Sequence, residues 1–282
     1  MTSVAPVAPA PGPASPAADR PAAGFARLLL SEWTKIRSVR STIWSLIVLV
    51  VVSLGFTALL AALTAANWNG PQAAPRDATI LADPVTSILG GIGLGQLAVC
   101  VLGTLVMTTE YSTGVIRASL LAVPRRIPML AAKAVVFAAL IFVVGEIVTF
   151  GSFFLGSDIL HSHVAVSLGQ PGVARAVIGT GLALTVLGLF AMAIGALIRH
   201  TAGAIATVIG VVLVLPILTG LLPGSWGAHV NAYLPEQAGG LISQAHEQAG
   251  NLLSPWQGFG VFCIWTALLL AAAGYLLARR DA

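Results

Sequence analysis

Glu146 is the residue whose type and setting most suggest chemistry, because it is a single acidic side chain inside a long apolar stretch. A charge at the centre of a bilayer costs about 2.5–3.5 kcal/mol on insertion scales, so such a group should face a bundle interior or a cavity. There it could bind a proton or a substrate. It could also be a neutral carboxyl that hydrogen-bonds a serine or threonine on a neighbouring helix, and the sequence leaves both interpretations open.

The other candidate groupings are weaker. Asp158, His161 and His163 lie close together in sequence, but three potential ligands in a short polar segment are poor evidence for a metal site. Lys35 and Lys133 are the only lysines and neither follows a glycine, so the chain has no phosphate-binding G-x-x-x-x-G-K-[ST] loop. We therefore predict no catalytic residue, no metal and no cofactor on this chain, which is not expected to be an enzyme.

Composition defines the class of protein that must position these residues. The 282-residue chain is 57% hydrophobic and only 9% charged, with a mean hydropathy of +0.94. Soluble domains carry about 25% charged residues, so the chain is predicted to be an integral membrane protein. The formal charge of +4 does not indicate nucleic acid, because the basic residues cluster beside the apolar segments.

The predicted fold is all-α and polytopic, with six transmembrane helices. Residues 1–23 form an Ala/Pro-rich tail that should be disordered. Residues 24–282 form the membrane domain, which begins with a basic amphipathic helix at 24–40. An interfacial position for this helix is favoured over a plain extension of the first span. The spans are predicted at Thr42–Ala66, Val85–Thr109, Ala134–Gly156, Val173–Ile198, Thr201–Leu222 and Trp256–Ala278.

Basic residues predict the orientation of these spans. With the N-terminus inside, twelve of the 14 Lys and Arg residues lie in inner segments, and only Arg76 and Arg175 lie outside. Short loops rich in Lys and Arg remain cytoplasmic. Both termini are therefore predicted to be cytoplasmic.

The polar stretch 110–133 is the longest basic interruption between spans. Its basic residues Arg117, Arg125, Arg126 and Lys133 oppose one acid, Glu110. Ser112 or Thr113 could cap a short helix that ends before Pro124. The stretch is either a loop whose arginines bind lipid headgroups, or a cytoplasmic surface on which a partner acts.

Two further patterns concern packing. The long outer loop 223–255 contains a short helical pattern that is either re-entrant or a surface helix. Gly181, Gly188 and Gly195 repeat every seven residues, which favours close helix packing, either within the chain or between two copies. Gly91 and Gly95 have the small-x-x-x-small spacing that also lets helices pack closely. No predicted strand precedes them, so they do not indicate a dinucleotide-binding motif.

Three motifs resemble those of type-2 ATP-binding-cassette (ABC) transporter permeases. They are SEWTKIRSVRSTIW at 31–44, EYSTGVIRASLLAVPRRIPMLAAK at 110–133, and LPEQAGGLI at 234–242. The resemblance covers the chain from Phe25 to its C-terminus. It implies a six-span exporter subunit of the cell membrane that pairs into a homodimer or with a related permease.

The resemblance also implies a separate cassette ATPase subunit, which would bind the ATP and Mg²⁺. The loop 110–126 would be the coupling helix, with Glu110, Gly114, Arg117, Pro124, Arg125 and Arg126 as its coupling residues. The alternative function is an ion-coupled secondary transporter that uses Glu146.

Overall fold

The computed structural model describes residues 24–70, 74–114, 126–222, 224–248 and 250–279. The tail 1–23 lies outside these ranges, and so do Arg117, Pro124 and Arg125 of the inner loop. Within the described ranges the chain is helical and contains no strand. The prediction of an all-α fold is therefore confirmed.

The helices follow one another with short connections. They are α1 (Phe25–Ser38), α2 (Arg40–Ala66), α3 (Ala74–Ala82), α4 (Pro84–Leu89), α5 (Ile92–Ser112), α6 (Arg126–Ile159), α7 (Val173–Ile198), α8 (Thr201–Ile209), α9 (Leu215–Gly220), α10 (Gly224–Ala232), α11 (Pro235–Gly240) and α12 (Pro255–Arg279). A π-helical segment, Gly210–Val214, joins α8 to α9, and a 3₁₀ turn, Leu241–Ser243, follows α11.

Six helices are long and apolar enough to cross a membrane, as predicted: α2, α5, α6, α7, the continuous α8–α9 rod and α12. The bounds of two spans differ from the prediction. The second span begins at Ile92 rather than Val85, because Asp83 caps a separate short helix, α4, by accepting from the backbone N–H of Thr86. The helix of the third span, α6, is longer than predicted at both ends and runs from Arg126 to Ile159.

The centre of the bundle is α7. The apolar, membrane-spanning stretch of α7 is 61% buried inside the protein, whereas the corresponding stretches of α2, α8–α9 and α12 are each 22% buried. It packs against α5, α6 and α12. The outer faces of α2 and α12 instead expose large apolar side chains, including Trp44, Val51, Ile264 and Leu268, as expected for helices that contact lipid or another membrane subunit.

Glycines allow the close contacts of α7. A Cβ added at Gly181 would lie 2.4 Å from Oε1 of Glu146 on α6, and one at Gly195 would lie 2.9 Å from the backbone oxygen of Thr104 on α5. Gly188 contacts Phe137 of α6 and Val99 of α5. All three glycines of the seven-residue series therefore face helices of their own chain.

Candidate functional site

Glu110 and Lys133 lie on the two helices that flank residues 115–125, Glu110 near the C-terminus of α5 and Lys133 in the first part of α6. The sequence places both within a polar interruption, but α5 extends through Glu110 to Ser112 and α6 already begins at Arg126. The interruption is thus shorter than predicted, and Gly114, with φ +70°, is its last residue described before the loop 115–125. The side chain of Arg126 also lies outside the described part.

Lys133 is the centre of a buried ion cluster. Its side chain is 2% exposed, and its Nζ donates to Oε2 of Glu32 at 2.5 Å and to Oε1 of Glu110 at 2.7 Å. Glu32 belongs to α1, Glu110 to α5 and Lys133 to α6. One ammonium group therefore joins three helices.

Lys35 completes the cluster on its more accessible side. Its Nζ lies 2.6 Å from Oε1 of Glu32 and 3.6 Å from Oε1 of Glu110, and its side chain is 35% exposed. Two carboxylates and two ammonium groups balance in charge. We call Glu32, Lys35, Glu110 and Lys133 the ion cluster, and the end of the bundle that contains them the cluster end.

The charges of the ion cluster stabilise one another. Burial alone would raise the pKa of Glu32, but attraction to Lys133 and hydrogen bonds from both lysines outweigh it, so the pKa lies below its ordinary value. Burial likewise opposes ionisation of Lys35, yet its carboxylate neighbours hold its pKa above the ordinary range. Both shifts favour the charged forms of Glu32 and Lys35.

Sequence reasoning missed Glu32 and Lys35 as site residues. Two aromatic residues of α1, Phe25 and Trp33, are exposed, whereas the buried residues of this helix are Leu28, Glu32 and Ile36. Their spacing of four places an acid on one face with two aliphatic residues. That acid, within a basic helix, is the signal that could have revealed the cluster.

A second cationic contact lies at the cluster end. Arg199, in a left-handed conformation at the C-terminus of α7, places its guanidinium 5.0 Å from the ring centroid of Tyr111 on α5. His200 then begins α8 by accepting at Nδ1 from the backbone N–H of Gly203. The sharp turn between the fourth and fifth spans is thus packed beside the C-terminal end of α5.

Glu146 lies on α6 against Gly181 of α7. Both of its carboxyl oxygens are buried, and neither has a hydrogen-bond partner within the described ranges. The serine or threonine contact considered from the sequence is not formed there. The absence of a Cβ at Gly181 leaves room for this carboxyl between the two helices.

The opposite end of the bundle is covered by a hairpin made of α10 and α11, here called the α10–α11 hairpin. Gly239 of α11 abuts the ring of Phe262, and the backbone oxygen of Ala238 lies where a Cβ of Gly258 would be. Phe262 is seven residues inside α12, which corresponds to about 10 Å along the helix axis. The hairpin therefore packs against the first two turns of α12.

Hydrogen bonds fix the hairpin in this position. Asn231 of α10 donates to the backbone oxygen of Pro216 at 2.9 Å, and Trp265 donates to that of Tyr233 at 3.1 Å. Arg175 of α7 donates to the backbone oxygens of Gln244 and Ala245 at 2.8 and 2.9 Å. Beneath the hairpin the carboxyl of Glu236, which the sequence analysis did not single out, is hydrogen-bonded by Gln96.

Asp158, His161 and His163 do not form a metal centre. Nδ1 of His161 lies 2.5 Å from the backbone oxygen of Asp158, and the ring of His163 packs against Trp68 with centroids 4.7 Å apart. No group of three or more His, Cys, Asp or Glu side chains in the described part is arranged to hold a metal ion.

These features define the class of the protein as a multi-helix membrane protein with one ionic and one hairpin-covered end. Comparison with known proteins adds nothing narrower, since no protein-family model matches the chain and no curated protein matches it.

Proposed function

We propose that this chain is the membrane-spanning permease subunit of an ATP-driven ABC exporter. The carrying observation is the ion cluster, which joins α1, α5 and α6 at the roots of the loop 115–125. The resemblance of the motifs at 31–44 and 110–133 points to the same function, and these two motifs contain all four residues of the cluster.

In this proposal the loop is the surface on which a separate cassette ATPase acts. A displacement of the loop would move Glu110 and Lys133, and their ion pairs would carry α1 with them. The three helices would then respond as one unit to the ATPase. An ATPase can bias a two-state permease in this way only if it binds the two states with different free energies.

The basic residues support the orientation that the proposal needs. Twelve of the 14 Lys and Arg residues fall in inner segments when the cluster end faces the cytoplasm. The exposed Phe25 and Trp33 of α1 would then lie in the headgroup region of the inner leaflet. The protein would work in the cell membrane as a homodimer or paired with a related permease, with ATP and Mg²⁺ bound on the partner ATPase.

Charge reversal in the loop tests the proposed coupling. The full-length chain is co-expressed with each stand-alone cassette ATPase that its neighbouring genes encode, and the assembled complex is purified. Arg117→Glu is expected to reduce co-purification of the ATPase by about tenfold or more, as for a charged pair at a protein interface. Arg27→Glu, which reverses an exposed charge on α1, serves as the matched control.

Two results would contradict the coupling proposal. One is unchanged co-purification and ATP-driven transport in Arg117→Glu. The other is an equal loss in Arg27→Glu, which would indicate a general effect of charge at the cluster end.

A second candidate function is an ion-coupled secondary transporter that uses Glu146. It is favoured by the two buried carboxyl oxygens of Glu146 that lack partners among the described residues. In that case Glu146→Gln would abolish transport and no ATPase would be required. For the ABC exporter, Glu146→Gln should retain ATP-driven transport.

A further inference from the structure

A cavity of about 230 Å³ lies beneath the α10–α11 hairpin, between α4, α5, α7, α11 and α12. Its lining includes Thr86, Gln96, Thr180, Glu236, Ser243 and the ring of Phe262. A water molecule occupies about 30 Å³ in the liquid, so this cavity has the volume of several waters. It therefore has room for a ligand of a few to about ten heavy atoms.

Among the described residues that line this cavity, the only ionisable side chain is the carboxyl of Glu236, and none of them is Lys, Arg or His. Burial raises the pKa of Glu236 to about 7, against the opposing effect of the hydrogen bond from Gln96. The carboxyl therefore changes charge near neutral pH and has no basic partner in the cavity.

Two hydroxyl groups of the cavity lining present lone pairs, because their protons are already used. The hydroxyl of Thr180 donates to the backbone oxygen of Ala176 at 2.8 Å, and that of Thr86 donates to Oδ2 of Asp83 at 2.8 Å. Each hydroxyl proton is thus already used, and lone pairs remain. The side chain of Gln96 adds a carbonyl oxygen that can accept, besides the amide N–H that is not used on Glu236.

We propose that this cavity binds a small organic cation, with its ammonium group paired to Glu236 and hydrogen-bonded by the acceptor oxygens of Gln96 and Thr180. An ionised carboxylate beside these acceptor oxygens disfavours anions and favours a ligand that carries several N–H donors. Phe262, which also lines the cavity, adds aromatic surface for the apolar part of such a ligand. The proposal concerns binding by this chain and requires neither ATP nor a partner subunit.

Binding of a cation should depend on pH through Glu236. A cation binds the ionised carboxylate, and with a pKa of about 7 that form falls from about nine-tenths at pH 8 to about one-tenth at pH 6. The apparent affinity should therefore be about tenfold weaker at pH 6 than at pH 8.

Burial and the contact with Gln96 are the two causes of the shifted pKa of Glu236. Other titratable groups lie on the elements around the hairpin, and none of them is a cause of this shift. They are Asp83 before α4, Cys100 on α5, Arg175 on α7, His229 on α10, Tyr233 between α10 and α11, His246 and Glu247 after the 3₁₀ turn, and Cys263 on α12.

Thermal unfolding of the purified full-length chain in lipid nanodiscs tests the proposal, because a ligand that binds only the folded state raises the unfolding temperature in a saturable way. The probes are methylammonium, propylammonium and cyclohexylammonium chloride, each compared with sodium chloride at equal ionic strength and with 1-propanol. At least one ammonium ion should stabilise the protein saturably, with the tenfold dependence on pH given above.

Substitutions test whether the ammonium ions bind beside Glu236. Glu236→Gln should weaken this binding by at least about tenfold, the loss expected when one partner of a buried charge pair is removed. Glu247→Gln removes the same charge from an exposed position just after the hairpin and should leave the affinity unchanged. Should Glu236→Gln fail to fold, Thr180→Val removes an acceptor at nearly constant volume and should also weaken binding.

Three outcomes would overturn the proposal. They are no saturable stabilisation by any of the three ammonium ions, equal stabilisation by sodium chloride, and binding that persists in Glu236→Gln or Thr180→Val. Stability that varies with pH around 7 but not with any cation would assign Glu236 to proton binding alone, which also overturns it.

Discussion

Lys133 shows how much a single residue can determine in an apolar protein. Its ammonium lies between Glu32 and Glu110, from which it is separated by 101 and 23 residues of sequence. The cost of burying one charge is several kcal/mol, and only well-placed opposite charges offset it. The position of α1 on the bundle is therefore tied to the exact placement of three charged side chains.

Removing Lys133 should destabilise the protein strongly. Lys133→Met keeps the length of the side chain but leaves Glu32 and Glu110 buried with one fewer cation, and breaking a buried pair costs about 3–5 kcal/mol. Lys35→Met is the matched variant, and because Lys35 is about one-third exposed its loss should cost no more than about 1 kcal/mol. Unfolding of both variants in increasing mole fractions of sodium dodecyl sulfate measures the difference. Equal costs would show that Lys133 is not the centre of the cluster.

At the scale of the helix, small residues decide how closely the bundle packs. The contact between α5 and α7 depends on Gly103, where an added Cβ would lie 2.5 Å from the backbone oxygen of Gly188 and 2.8 Å from Cβ of Ala191. A backbone oxygen cannot rotate away as the end of a side chain can. An alanine at Gly103 would therefore have to push the two helices apart.

Gly103→Ala is thus expected to destabilise the protein by about 1–3 kcal/mol, as overpacked cores are. Gly55→Ala, in α2, is the control, because an added Cβ there meets nothing within 4 Å. That change should be neutral or slightly stabilising, since alanine favours a helix by up to about 1 kcal/mol over glycine. Equal stability of the two variants, measured by the same unfolding assay, would rule out the close α5–α7 contact.

The helices themselves were largely predictable from the sequence. Runs of about 20 apolar residues predict spans because a bilayer requires that length, and six such helices are present. The ion cluster and the cavity at Glu236 were not predictable in the same way. Hydropathy treats Glu32 and Glu236 as polar residues of terminal or loop segments. The burial of Glu32 depends on Lys133 of α6, and the cavity at Glu236 depends on α5, and both helices lie far away in sequence.

At the scale of the whole molecule, the two ends of the bundle differ in chemistry. The cluster end carries paired charges and the roots of a basic loop, whereas the hairpin end carries an acidic cavity without a basic residue in its lining. In the two proposals above, the cluster end would meet a partner subunit and the hairpin end would meet a small cation. The proposed exporter requires the cluster end to face the cytoplasm.

Labelling of intact cells tests this orientation. In a background of Cys100→Ala and Cys263→Ala, which removes both native cysteines, single cysteines are introduced as Ser119→Cys in the inner loop or Gln248→Cys beyond the hairpin. A membrane-impermeant maleimide should label Gln248→Cys in intact cells, because basic loops remain inside and the hairpin end is then external. Ser119→Cys should react only after permeabilisation. The reverse pattern would place the ion cluster outside, where no ATP-driven subunit could act on the loop, and the permease proposal would have to be abandoned together with the predicted topology.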